Sequence, residues 1–366
     1  MLRSLARIDL GAIQRNTARL VAVAGGAQVC AVVKADAYGH GMVPAAGAAL
    51  AGGAAWLGVA TAVEAAGLRE AGHTCRVLVL GALSDEELPV ALEAGADIVV
   101  WDEHTVARAG ALGGARVHVK LDTGMGRLGT RDPLAATRIA EVAAATDGVE
   151  VAGLMTHFAT ADDRGDTFFG EQLERFRAWA EPLRAMHPGA ILHAANSAAT
   201  LRDAASHFDL VRPGVALYGM DPFGADPADQ DLDPALELTS YVAAVKPIAP
   251  GESAGYGRRF IAEREGRIAT VPIGYGDGWR RGLTNNADVL VRGRRLPLVG
   301  TVSMDNVTLD LGTAGDVEVG DEAVLIGERD GERVLAEEVA QRLGTINYEV
   351  TCGIGARVPR LHVPAA

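Results

Sequence analysis

The sequence predicts an α/β fold in two parts: an N-terminal (β/α)8 barrel of the TIM type and a C-terminal, mostly β domain. Three observations lead there. The chain has 366 residues, about two domains' worth at roughly 150 residues each. As far as Val211, short β-branched runs alternate with Ala-, Leu- and Glu-rich stretches of helical period, as expected of strand–helix units around a parallel sheet. After Tyr218 the texture changes to strand-like runs broken by Gly, Asn and Pro, the punctuation of an antiparallel domain.

Eight runs read as barrel strands: Gln28–Ala35, Trp56–Ala60, Arg76–Gly81, Asp97–Trp101, Arg116–Leu121, Val149–Met155, Ile191–His193 and Phe208–Val211. Between them Thr61–Glu70, Asp85–Ala94, Pro133–Ala145 and Thr167–Met186 have helical spacing. An open doubly wound sheet is the rival, but it needs a Gly-rich first turn that is missing here. The stretch Asp221–Pro234 reads as a linker. Beyond it, strands are expected at Leu238–Val245, Arg267–Pro272, Asp288–Val291, Val302–Leu311 and Glu322–Ile326, with one helix at Ala336–Leu343. These boundaries give a barrel over residues 10–234 and a β domain over 235–366. Residues 1–9 have no partner in the barrel count and are expected to join the second domain's sheet.

Composition narrows the function classes. With Lys+Arg 34 against Asp+Glu 47, the formal charge is −13, which repels a phosphate backbone and anionic lipid. Neither nucleic acid nor membrane is an expected partner. Cys30, Cys75 and Cys352 are far apart and in no CxxC spacing, so neither disulfides nor a metal site is expected. The opening residues lack an apolar signal-peptide core and no later run is long enough to span a bilayer. A cytoplasmic location is the expectation.

Only three lysines occur, Lys34, Lys120 and Lys246, so each one stands out. Lysine offers a primary amine and a pKa that burial can lower, and arginine offers neither. Lys34 follows the apolar run Val29-Cys-Ala-Val-Val33. In a barrel, the C-terminal end of a strand faces the active-site mouth. An amine walled by apolar neighbours is held toward its neutral, nucleophilic form, suited to a Schiff base.

The run Ala31-Val-Val-Lys34-Ala-Asp-Ala-Tyr38-Gly-His-Gly41 resembles the lysine motif of bacterial alanine racemases, the pyridoxal 5'-phosphate enzymes of fold type III. Further motifs similar to that family follow in order. They are Lys120-Leu-Asp-Thr-Gly-Met-Gly-Arg127, Met155-Thr-His157-Phe, Ala195-Asn-Ser197, Arg212-Pro-Gly214, Gly255-Tyr256-Gly257, Gly274-Tyr275-Gly-Asp277-Gly, Ser303-Met304-Asp305 and Asn347-Tyr348 with Arg357-Val-Pro-Arg360. Each string alone is short, but nine in a fixed order span nearly the whole chain.

The resemblance implies interconversion of L- and D-alanine by two-base proton transfer, supplying D-alanine for peptidoglycan. Lys34 would hold pyridoxal phosphate and act as one base, with Tyr256 as the second. His157 and Arg212 would tune that tyrosine, and Arg212 would also contact the pyridine nitrogen. The family's phosphate contacts match Ser197, Gly214 and Tyr348, with Tyr38 assisting; Asn196 and Val215 complete the cofactor set. Arg127 would meet the cofactor and the substrate carboxylate, joined by Tyr275, Met304 and Asp305 as substrate-binding residues. Family members often carry Cys where this chain has Ser303. The resemblance also implies a homodimer with shared active sites.

Lys120, seven residues before Arg127, would make a costly like-charge pair at low dielectric. Carbamylation of Lys120 is therefore expected, as in the family, with an anion such as chloride as the alternative. A racemase of another amino acid, such as serine, or of broad specificity is the nearest competing function. A decarboxylase would place an acid where Arg212 stands. A non-catalytic cofactor carrier of the barrel class would lack the residues from Ala235 onward.

Overall fold

A computed structural model of the chain describes residues 2–313 and 315–364. Met1, Ala365 and Ala366, which end two of the expected ranges, lie outside the described residues. The first strand, β1 (Leu5–Asp9), leads through the Asp9 side-chain cap into the helix Leu10–Ala24. Eight parallel strands then follow: β2 (Gln28–Val32), β3 (Trp56–Val59), β4 (Arg76–Val79), β5 (Asp97–Val100), β6 (Ala115–Lys120), β7 (Val149–Met155), β8 (Ile191–His193) and β9 (Leu210–Val211). Seven of the eight β-branched runs contain their strand whole, and β6 begins one residue before its run, at Ala115.

The strands pair in the order β8-β7-β6-β5-β4-β3-β2-β9. The seam between β8 and β9 is drawn shut by backbone bonds from Asp209 N to Leu192 O (3.0 Å) and from Arg212 N to Ala195 O (2.9 Å). The interior is small and mixed in character. Cys30, Trp56, Leu78, Val99, Met155 and Leu210 form its apolar cluster, and Trp56 is covered by the Arg76 guanidinium 3.9 Å above its ring. A much larger apolar core lies outside the sheet, under the helices, and continues into the second domain.

That domain contains β10 (Leu236–Tyr241), β11 (Ala244–Ile248), β12 (Ser253–Ala254), β13 (Phe260–Ile261), β14 (Gly266–Val271), β15 (Asp288–Val291), β16 (Arg294–Val299), β17 (Val307–Gly312), β18 (Glu322–Arg329), β19 (Glu332–Val334) and β20 (Arg360–Val363). Its main sheet runs β11-β14-β17-β16-β15-β18-β10-β1-β20. β1 thus pairs antiparallel with β10 and parallel with β20.

Three expectations need correction. The run Leu238–Val245 is two strands, because Val242 N turns to Asp321 O and Ala243 N to Thr270 O, changing the pairing partner. The first half of Val302–Leu311 is a turn, closed by Ser303 N on Asn306 O at 3.0 Å. Asp221–Pro234 is no loose linker: Asp221 and Leu232 are buried, and Pro227–Gln230 forms a 3-10 turn.

Candidate active site

The site is assembled at the C-terminal ends of the barrel strands. Just past β2, Ala35, Asp36, Ala37 and Tyr38 all adopt left-handed backbone, with φ of 52–56°. For non-glycine residues this conformation costs roughly 1–2 kcal/mol each, so the surroundings must hold it. Glu64 accepts the N–H of Ala35 at 2.7 Å, Asp36 accepts that of Met42 at 2.7 Å, and Val33 O accepts that of Ala37 at 2.9 Å. The turn carries both Lys34 and Tyr38 to the wall of one cavity.

This cavity, about 580 Å³, is lined by Lys34, Tyr38, Lys120, Arg127, His157 and Asn196, and also by Ser197, Arg212, Gly214, Val215 and Tyr348. The barrel mouth therefore brings together every barrel residue singled out from the sequence. Tyr348 and Cys352 reach it from the helix Asn347–Cys352 of the second domain, anchored by Asn347 on Asp221 O and Glu337. Tyr256, Tyr275, Met304 and Asp305 are not brought to this cavity within the chain. Tyr256 is 74% exposed and Met304 52% exposed, on turns of the second domain. The turns interlock: Tyr275 N donates to Ser303 O and Gly276 N to Met304 O, while Arg357 pairs with Asp305 at 2.7 Å.

Charge sets the chemistry of the mouth. Among the described residues, four Lys and Arg side chains line it, and no Asp or Glu does. Burial lowers the pKa of Lys34, and Arg127 lowers it further. Burial, then Arg212 and Arg127, bring Lys120 down to about 8. His157, buried next to Arg212, is held well below the ordinary imidazole range. Burial raises the Tyr38 phenol and keeps it protonated. Such a cavity suits a dianionic or carboxylate-bearing ligand, with an amine of lowered pKa beside it as nucleophile or base.

One wall of the mouth is closely built. Ser197 Oγ accepts Gly214 N–H at 2.8 Å, and a Cβ built on Gly214 would lie 2.2 Å from Tyr38 Oη. Asn196 caps the helix Ser197–Arg202 by accepting Ala199 N–H at 3.0 Å. Arg212 is fully enclosed. It donates to His193 Nδ1 (2.9 Å), Thr156 O (2.9 Å) and Ala194 O (3.0 Å), and stands 3.3 Å from His157 Nδ1. None of these bonds uses its Nε–H.

Three residues linked to Arg212 were not among the sequence candidates: His193, which accepts from it, His118, whose Nδ1 lies 2.7 Å from His193 Nε2, and Asp97, 3.0 Å from His118 Nε2. The signal for His118 lies in β6, where His118 and Lys120 alternate with Val117 and Val119. Strands buried on both faces ordinarily read as continuous apolar runs.

Fold and site define a class: a (β/α)8 barrel fused to a β domain, with a strand-end lysine facing a cationic mouth. The comparisons agree. The models for the alanine racemase N-terminal and C-terminal domains match residues 8–222 and 235–362. The chain is 42% identical to an alanine racemase of Symbiobacterium thermophilum (98% of this chain, 96% of that one) and 45% identical to one of Frankia casuarinae (99% and 97%). The solved alanine racemase of Streptomyces coelicolor A3(2) superposes with a TM-score of 0.93 at 40% identity, covering 98% of each chain. The chain belongs to the alanine racemase family. Among the described residues, no helix is long and apolar enough to cross a membrane.

Proposed function

We propose that the chain interconverts L- and D-alanine, with pyridoxal 5'-phosphate bound at Lys34 and the active site completed by a second copy of the chain. The supporting observation is the mouth itself: a buried amine of lowered pKa among cationic groups, with no carboxylate on the wall. The residues present fit the cofactor. Ser197, the Gly214 amide, Tyr38 and Tyr348 would take its phosphate, with Asn196 and Val215 closing the cradle. Arg212 would offer its Nε–H to the ring nitrogen, and Arg127 would meet the phenolic oxygen. When bound, pyridoxal phosphate supplies an electron-withdrawing ring system that makes the α-hydrogen of an amino acid removable.

The chain's own residues do the rest. Racemisation needs one group to take the α-proton and another to return it from the opposite side. Lys34 and Tyr256 are those two groups, and Arg127 holds the substrate carboxylate. Tyr256, Tyr275, Met304 and Asp305 would come from the partner subunit, which accounts for aromatic and Met side chains left in solvent on one chain. The product would supply D-alanine for peptidoglycan.

The test is a chirally resolved assay on L-alanine and a panel of other L-amino acids in deuterated water. D-alanine carrying deuterium at the α-carbon is expected, with alanine preferred. Retention of hydrogen, or a preference for serine or larger substrates, would overturn the reading. Borohydride trapping with peptide mapping is expected to label Lys34; a label on Lys120 or Lys246 would refute the assignment.

A further inference from the structure

Behind Arg212, inside the barrel, lies a line of polar groups that the proposed reaction does not use. His193, the last residue of β8, places Nδ1 2.9 Å from Arg212 Nη1 and Nε2 2.7 Å from His118 Nδ1. His118, on β6, places its Nε2 3.0 Å from Asp97 Oδ2. Asp97 opens β5 and also accepts from Arg116 Nε at 2.7 Å and from Arg76. Asp97, His118 and His193 are wholly buried. Since β5 starts at the barrel floor and Arg212 follows the end of β9, the line runs from floor to mouth.

The direction of every bond in the line is fixed by chemistry. Arg212 carries only donors, so His193 Nδ1 must accept. A neutral His193 then carries its proton on Nε2 and donates to His118 Nδ1. His118 in turn carries its proton on Nε2 and donates to Asp97. The reverse polarity would need a deprotonated, anionic imidazole. The surroundings agree with neutral rings and a charged acid. Burial depresses both histidines. Burial also opposes the Asp97 charge, but the hydrogen bonds from His118 and Arg116 and the positive charge of Arg76 outweigh it and keep the acid ionised.

Packing alone gives no reason for this line. The neighbours that fill the same space are apolar, and a buried ionic chain is weak support for stability compared with apolar residues of similar volume. We propose that Asp97, His118 and His193 are positioning residues for Arg212: a one-way chain of hydrogen bonds that fixes the tautomer of His193, so that Nδ1 holds the guanidinium in register beneath the cofactor site. The carboxylate draws proton density toward the floor and makes His193 Nδ1 a better acceptor. The inference rests on the reading of Arg212 as the group that faces the cofactor ring.

Histidine-selective 15N spectra of the protein, with cofactor bound and after its removal, test the chain directly. The nine histidines are assigned with single His→Gln variants. His118 and His193 are expected to be neutral, protonated on Nε2, and non-titrating from about pH 6 to 9. Either ring protonated on Nδ1, or charged at neutral pH, would overturn the proposal whatever the substrate proves to be. Asp97→Asn keeps an acceptor oxygen but removes the charge. It is expected to move the His193 Nδ1 resonance and lower kcat about tenfold, with KM for alanine nearly unchanged. An unmoved resonance with unchanged kcat would contradict it. The spectra of the unmodified protein decide the matter even if that variant fails to fold.

Discussion

One oxygen of the Glu64 carboxylate accepts the backbone N–H of Ala35 at 2.7 Å, joining the cap of one barrel helix to the left-handed turn that carries Lys34. The other oxygen accepts the N–H groups of Ala60 (2.8 Å) and Thr61 (3.1 Å), and the Thr61 hydroxyl oxygen accepts the N–H of Glu64 in return. A capping box thus stabilises its own helix and a strained turn on the neighbouring unit at once.

Glu64→Ala is therefore expected to cost more than a helix cap. Three backbone donors lose their acceptor, worth about 1 kcal/mol each, and the turn bearing Lys34 and Tyr38 loosens. Denaturant unfolding is expected to show a loss of about 1–3 kcal/mol, and cofactor titration a Kd raised by about tenfold. Equal affinity in the variant would show that the turn holds itself.

Arg212→Lys keeps the charge but loses the planar fork. A single ammonium cannot reach His193, Thr156 O and Ala194 O together while also facing the cavity. Leaving such buried acceptors unpaired costs about 1–3 kcal/mol, so kcat is expected to fall by about 10- to 100-fold. Steady-state kinetics with far-UV circular dichroism checks this. Wild-type kcat in the folded variant would remove Arg212 from the account.

Lys120 gives a pH dependence with a definite sign. Its folded pKa is about 8 against an ordinary 10.5, so between those values the unfolded chain binds more protons and stability rises with pH. Below about pH 8 the whole cost of a bare buried ammonium is present, roughly 3 kcal/mol. Carbamylation would remove that cost: the neutral amine would bond to carbon dioxide and lose one proton, leaving an anion to face Arg127. With 13C-bicarbonate, a labelled carbamate is expected on Lys120, its occupancy rising through about pH 8. Absence of label, or full activity in Lys120→Ala, would count against it.

The barrel was legible because each strand is a short β-branched run set off by polar or glycine turns, and the strand-end position of Lys34 followed from it. β16 escaped notice because Arg294, Arg295 and Pro297 break its apolar pattern. The left-handed turn after Lys34 is invisible in Ala-Asp-Ala-Tyr, which holds no glycine; it is held by Glu64 from the neighbouring unit together with the backbone groups of Val33 and Met42. The polar line behind Arg212 spreads over three strands, and only barrel closure brings its members into contact. The separation of Tyr256 from Lys34 within one chain is likewise a property of the fold, which the strings Gly255-Tyr256-Gly257 and Val33-Lys34 could not reveal.

The central claim is that Lys34 and Tyr256 work in one site but come from different copies of the chain. Lys34→Ala and Tyr256→Ala proteins, each inactive, are to be co-expressed or refolded together, and mixed dimers counted. If about half the dimers are mixed, each of those holds one intact site, and about a quarter of wild-type racemase activity is expected to return. No activity, with mixed dimers demonstrated, would contradict the shared site and the roles given to Tyr256, Tyr275, Met304 and Asp305.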